Sequence, residues 1–175
     1  DAFHRYNRKE MKKELEKRHA AGDATFSHFS FDANLLPELE DCFRNYSQQG
    51  TCRYRHYIHN SNEENLYGAK PGNFTKWKKF EEPSDLLFYE GLHGAVVNEE
   101  INLARYADLK IGVVPVINLE WIQKIHRDTD SRGYSTEAVT DTILRRMHAY
   151  VHCICPQFTD CLLYTSPSPR DAHKS

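Results

Sequence analysis

Ile111-Gly112-Val113-Val114-Pro115-Val116 is a short run apolar on both faces, and Leu86-Leu87-Phe88-Tyr89 upstream has the same character. Strands covered by helices on each side read this way, whereas a strand with one wet face alternates. The two runs therefore predict parallel strands in an α/β core. Helical patterns surround them. Asn7 can cap a charged helix that runs to about Ala21 and stops at Gly22, and a second helix is expected from about Asn34 to Gln49, before Gly50. Downstream, Leu119, Ile122 and Ile125 recur at helical spacing, and Val139, Ile143, Met147, Tyr150 or Val151, and Ile154 do so again behind a Ser135 cap. Thr51 to His59 alternates, with Cys52, Tyr54, His56 and Ile58 on one side, which predicts a half-exposed strand. Residues 60–83 read as mostly loop, turning at Pro71-Gly72-Asn73.

At 175 residues the chain has the size of one domain. Lys plus Arg number 23 against 25 Asp plus Glu, so no bulk field favours a nucleic acid or an anionic membrane. Any anion site must be local. The longest apolar stretch, Ile111 to Ile117, falls far short of the roughly 20 residues that span a bilayer, and no signal segment opens the chain. A cytoplasmic protein is expected. The five cysteines (Cys42, Cys52, Cys153, Cys155, Cys161) form an odd set without a C-x-x-C pair, which predicts reduced thiols rather than a disulfide framework or a zinc site. Without paired Cys/His spacings, any metal used here should be a hard cation held by oxygen.

Both ends look unnatural. Residue 1 is an aspartate that opens directly into charged and aromatic residues, so the natural start is expected to lie upstream. Leu162 to Asp171 has no helical or strand period, and its Ser-Pro repeats favour an extended, unpacked chain. Residues 160–175 are expected to be a non-native, unstructured tail.

Three clusters could carry chemistry. Glu90 follows an apolar strand pattern and precedes Gly91, which places a carboxylate at the carboxyl end of a strand, where α/β sheets bind ligands. Lys124, Arg127 and Asp128 are spaced to share a helix side opposite the apolar stripe, and phosphoryl transfer needs such pre-placed cations. Asp1, His4, Arg5, Arg8 and Lys12 put an acid beside four partners for a phosphate or hydroxyl. His4, Arg8 and Lys12 share one face if the helix begins early. Each cluster also has a plainer account: a turn cap, a solvated ion-pair face, a frayed charged terminus. Arg145 and Arg146 are explained by surface solvation, with Asp141 as an i,i+4 partner of Arg145.

Read together, Asp1-Ala2-Phe3-His4-Arg5, Phe26-Ser27-His28-Phe29-Ser30, Pro71-Gly72-Asn73-Phe74-Thr75, Tyr89-Glu90-Gly91-Leu92-His93-Gly94-Ala95 and Trp121-Ile122-Gln123-Lys124-Ile125-His126-Arg127-Asp128 resemble bacterial phosphoribulokinases. The R-D-x-x-x-R-G element from Arg127 to Gly133 also occurs in uridine kinases. The resemblance implies an adenylate-kinase-like α/β P-loop kinase core over residues 1–159, a mostly parallel sheet flanked by helices, incomplete here. It implies transfer of the γ-phosphate of ATP, with Mg²⁺, to ribulose 5-phosphate, giving ribulose 1,5-bisphosphate in the Calvin cycle. Asp1 is then similar to the catalytic base and Asp128 to a second essential acid. His4, Arg8 and Lys12 resemble sugar-phosphate contacts. Glu90, with Asp1, resembles the family's carboxylates at the Mg-ATP site, Lys124 its transition-state cation, and Arg127 and Arg132 its substrate or phosphate contacts on a mobile lid. Arg145 and Arg146 match an arginine pair tied to the effectors NADH and AMP, and the parent enzyme is expected to be a homo-oligomer.

The family also carries a G-x-x-x-x-G-K-[ST]-like phosphate loop upstream of its catalytic aspartate, and no such loop stands within residues 1–175. The expectation is a fragment lacking that segment and the C-terminal part, inactive by itself. A uridine-kinase-like enzyme and a non-catalytic sugar-phosphate or effector-binding remnant are the rival readings.

Overall fold

The structure, a computed structural model, describes residues 1–114 and 117–165. It opens with α1 (Arg8–Ala20), started by Asn7. The Asn7 side chain accepts from the Glu10 amide while the Glu10 carboxylate accepts from the Asn7 amide, so two otherwise unpaired N–H groups satisfy each other's neighbours. His4 lies before this cap, in an extended bridge with Asn34, so His4, Arg8 and Lys12 do not form one helical face. Because α1 buries only Met11, its ends matter more than its packing. Asn7→Ala should cost about 1 kcal/mol, a fall of about 2–4 °C in Tm read by thermal melting.

Helix α2 (Leu36–Gln49) places Leu36, Leu39, Cys42 and Phe43 on one buried face and closes on Gly50, whose φ of 66° is the left-handed conformation a helix end needs. It starts two residues later than the sequence predicts, because Asn34 is extended and its side chain is committed elsewhere. The α2 face packs with Phe3, Cys52, Val96, Ile101 and Leu103 into the main core, and Met11, Phe26 and Ala33 form a smaller one. Cys42 and Cys52 are joined by a disulfide, their Cα atoms 4.9 Å apart. This corrects the expectation of five reduced thiols. The turn at Gly50 brings the chain back onto α2, a closeness that cysteine spacing did not signal. Cys153, Cys155 and Cys161 are free.

The predicted strand from Thr51 to His59 shrinks to β1 (Arg53–Tyr54), antiparallel to β2 (Lys78–Lys79), with a further bridge between Tyr57 and Phe74. The ladder stops where the His56 amide donates to the Thr75 hydroxyl oxygen instead of a facing carbonyl. The expected loop contains α3 (Ser61–Tyr67), capped by Asn60 and closed by Gly68.

Leu86 to Tyr89 forms no strand and has no pairing partner among the described residues. Leu87 and Tyr89 pack on the core, while Leu86 and Phe88 are each 81% exposed, so this run alternates in space although its composition does not. β3 (Ile111–Val113) does form, but with Ile111 and Val113 exposed, not covered on both faces. Pro115 and Val116 lie outside the described residues. β3 pairs in parallel with β4 (Leu163–Thr165), reinforced by the Leu162 amide on the Lys110 carbonyl at 2.9 Å. Part of the segment expected to be unpacked is thus a strand; residues 166–175 lie outside the described residues. Between them run α4 (Ile117–Arg132) and α5 (Thr136–Ala149), which pack together, with Ser135 capping α5 as predicted. α5 continues into a wider turn, Tyr150–Ile154. Among the described residues no helix is long and apolar enough to cross a membrane.

Candidate functional site

The first five residues are pinned on several sides. Phe3 is buried in the main core, its carbonyl accepts from the Leu35 amide at 2.7 Å, and the Arg5 amide donates to the Ala33 carbonyl at 2.8 Å. Arg55 adds a clamp: its guanidinium donates to the carbonyls of Ala2 at 2.8 Å and His4 at 2.5 Å. The same group lies over the rings of Phe74, 3.7 Å away, and Trp77, 4.6 Å away. The backbone carrying Asp1 and His4 is therefore held from the sheet side and the helix side at once.

Held in this way, the Asp1 carboxylate meets two imidazoles: Oδ1 lies 2.9 Å from His4 Nε2, and Oδ2 lies 2.9 Å from His59 Nε2. It opens on a cleft of about 460 Å³ that Glu90, Lys124, Arg127 and Arg146 also line. Glu90 is exposed on the turn after Tyr89, and Tyr89 anchors that turn by packing on Phe43 and Phe3. Burial, helped by Glu90, pushes the Tyr89 hydroxyl up to about 12, so it stays protonated.

From α4, Lys124 and Arg127 face the cleft on either side of Asp128, which is only 4% exposed. Lys124 Nζ lies 2.5 Å from one carboxylate oxygen and Arg127 Nε 3.0 Å from the other. Burial raises the Asp128 pKa, but the hydrogen bonds from Lys124 and Arg127 outweigh it, and the carboxyl titrates below its usual range. Burial pushes Glu120, on the same helix, upward.

The remaining sequence-predicted residues divide. Arg8 packs over Gly72 and reaches the His59 carbonyl at 3.5 Å, outside the cleft lining; Lys12 is exposed one turn further along α1. Gly72, at φ 84°, leaves no room for a side chain beneath Arg8. The Arg132 side chain lies outside what the structure describes. Arg145 pairs with Asp141 at 2.8 Å on the outer face of α5, whereas Arg146 turns inward, 3.5 Å from His28 Nδ1 and over the Phe29 ring. The two side chains thus lie on different faces of α5.

Sequence reasoning assigned no role to His28, Asn34, Arg55, His59 or His93. Asn34, Arg55 and His59 reach Asp1 and His4 across 30 to 58 residues, and His28 lies edge-on to His4 from 24 residues away; no local pattern announces them. Burial, with Arg146 and His4 nearby, lowers His28 to about 4; burial and His4 do the same to His93. Folded, both rings stay neutral down to about pH 4; unfolded, each binds a proton near pH 6.5. The unfolded state then holds more protons between those values, so stability rises with pH across the window. Tm should fall as pH drops from 7 to 5, and His28→Gln with His93→Gln should flatten that slope in pH-dependent melts.

Among the described residues no group of three or more His, Cys, Asp or Glu side chains forms a metal cage. Mg²⁺ needs no such cage, since one or two carboxylates and substrate phosphates complete its shell. Glu90, an exposed hard oxygen donor in the cleft, fits that requirement better than Asp1, whose two oxygens both face imidazoles.

The chain matches the Phosphoribulokinase / Uridine kinase family across residues 1–168. It is 68% identical over 160 residues to phosphoribulokinase 2 of Cereibacter sphaeroides, covering 91% of this chain and 55% of that protein. It is 61% identical over 160 residues to the phosphoribulokinase of Nitrobacter vulgaris, with the same coverage of 91% and 55%. Among solved structures it is similar to a phosphoribulokinase from Rhodobacter spheroides, at TM-score 0.83 and 64% identity, over 95% of this chain and 57% of the other. The chain spans about half the length of the curated relatives it matches.

Proposed function

Because the chain belongs to the phosphoribulokinase / uridine kinase family and carries part of its α/β P-loop kinase fold, we propose that it is part of a phosphoribulokinase, which moves the γ-phosphate of ATP to ribulose 5-phosphate. One observation carries the reading: Asp1, Glu90, Lys124 and Arg127, from three separate parts of the chain, line one cleft. A sugar hydroxyl placed at Asp1 loses its proton to the carboxylate as its oxygen bonds to phosphorus and the bond to ADP breaks. Lys124 and Arg127 stabilise charge on the equatorial oxygens, already oriented by Asp128. His4 positions the acceptor hydroxyl beside Asp1, and Arg8 attracts the sugar phosphate from the cleft's margin. Glu90 would hold Mg²⁺, which when bound neutralises phosphate charge. Response to NADH and AMP through Arg145 and Arg146, and a homo-oligomeric parent, belong to the same proposal.

An ADP-release assay tests it. The full-length protein should turn over with ribulose 5-phosphate and not with uridine. The 175 residues alone, with no glycine-rich phosphate loop in their sequence, should show no turnover with either. Preference for uridine would replace the phosphoribulokinase reading with its uridine-kinase rival.

A further inference from the structure

Asn34 is a buried polar residue, 5% exposed, that pairs with His4 in a backbone bridge. Its side-chain nitrogen donates to two main-chain carbonyls, His28 at 3.0 Å and Ser30 at 2.8 Å. With both N–H bonds spent on acceptors, the amide has one orientation, and its oxygen is the atom facing His4. That oxygen only accepts, so His4 Nδ1, 2.8 Å away, must carry the hydrogen. Burial, with the Asp1 amine and Arg55 nearby, lowers the His4 pKa and keeps the ring neutral at neutral pH, and a neutral imidazole has one N–H. Its Nε2 is then a bare lone pair, and it faces Asp1 Oδ1 at 2.9 Å.

We infer that Asn34 is a positioning residue: by pinning His4 in the Nδ1–H tautomer it leaves Nε2 open, so that a proton taken by Asp1 is held between Asp1 Oδ1 and His4 Nε2. The inference deepens, and rests on, the reading of Asp1 as the base. Two acceptors at 2.9 Å oppose each other until a proton lies between them, and a hydrogen bond available only to the protonated pair raises its proton affinity. A lone aspartate, near 3.9, is a weak base at neutral pH; a pair sharing one proton is a stronger one. The step balances: the hydroxyl O–H breaks, its oxygen bonds to phosphorus, the bond to ADP breaks with its electrons, and the proton ends in the Asp1–His4 contact. The groups facing this pair are the Asp1 α-amino group, Arg55, His28, His93 and, on the other Asp1 oxygen, His59.

Nitrogen-15 NMR of histidine-labelled 175-residue chain reads the tautomer directly. His4 should show a protonated Nδ1 and a bare Nε2, with Nε2 the nitrogen that moves on acidification. Asn34→Leu, which cannot accept, should flip the ring to Nε2–H; Asn34→Asp, which can, should keep Nδ1–H. A wild-type ring carrying its hydrogen on Nε2 overturns the inference. Should Asn34→Leu fail to fold, the wild type and Asn34→Asp decide. In the full-length enzyme Asn34→Leu should lower kcat about 10²-fold, the low end for proton-transfer catalysis. It should also move the acidic limb of the pH profile to lower pH, because Nε2–H then stabilises the charged carboxylate, with KM for ATP within about two-fold. A flipped tautomer with kcat and that limb unmoved overturns the proton-holding role. Near-normal turnover by Asp1→Asn would instead sink the reading beneath it, whatever the tautomer.

Discussion

Replacing Asp1 by asparagine in the full-length enzyme is expected to lower kcat by about 10²- to 10⁴-fold, the range for loss of a general base. Asparagine keeps the shape of the side chain and can still meet His4 and His59, so the loss would report proton transfer rather than collapse of the site. KM for both substrates should change much less. Arg8→Ala should behave in the opposite way. Its guanidinium lies at the margin, beside the His59 carbonyl, so its removal should raise KM for ribulose 5-phosphate and leave KM for ATP and kcat nearly alone. Steady-state kinetics on the two variants separate the roles, and an Asp1→Asn enzyme within a few-fold of wild type would remove Asp1 from the reaction.

Asp128→Asn should have the second-largest effect, on stability and turnover together. The carboxylate is buried while its partners differ, Lys124 being 19% exposed and Arg127 49%. Breaking a buried ion pair costs about 3–5 kcal/mol when the orphaned charge stays buried; with Arg127 free to rehydrate, about 2–3 kcal/mol is expected here. That corresponds to a fall of roughly 4–12 °C in Tm. Because the folded carboxyl titrates below its unfolded value, its contribution is complete above about pH 4 and is lost only as pH falls through the lowered value. The Tm difference between Asn and wild type should therefore be constant from pH 6 to 8 and close in strong acid. In turnover, Lys124 and Arg127 would lose the group that aims them, and kcat should fall more than KM rises.

What was legible in the sequence was local. The Asn7 and Ser135 caps and the Gly50 stop depend on residues within one turn, and α1, α2 and α5 follow. Strand partners are not local. Leu86 to Tyr89 has strand composition, but whether such a run pairs depends on chain far away, and here only Leu87 and Tyr89 face inward. The site divides along the same line. Asp1, Glu90, Lys124 and Asp128 stand out in the sequence because their types and neighbours can carry chemistry, and the cleft gathers Asp1, Glu90 and Lys124 with Asp128 bound behind them. Asn34, Arg55 and His59 reach the same place across 30 or more residues, and nothing in the sequence near them signals it. Arg146 was misjudged for a related reason: helical spacing gives its neighbours along α5, not the direction in which the helix faces.

The Arg55 clamp has a consequence for ionic strength. Its charge is sheltered by Phe74 and Trp77, and its acceptors are carbonyls rather than carboxylates, so dissolved ions have little to screen. The outer pair of α1, Lys17 with Glu14, has no such shelter, the lysine being 76% exposed. Added salt should thus weaken the attraction of a phosphate toward the cleft and loosen the outside of α1, while the backbone that carries Asp1 and His4 keeps its place.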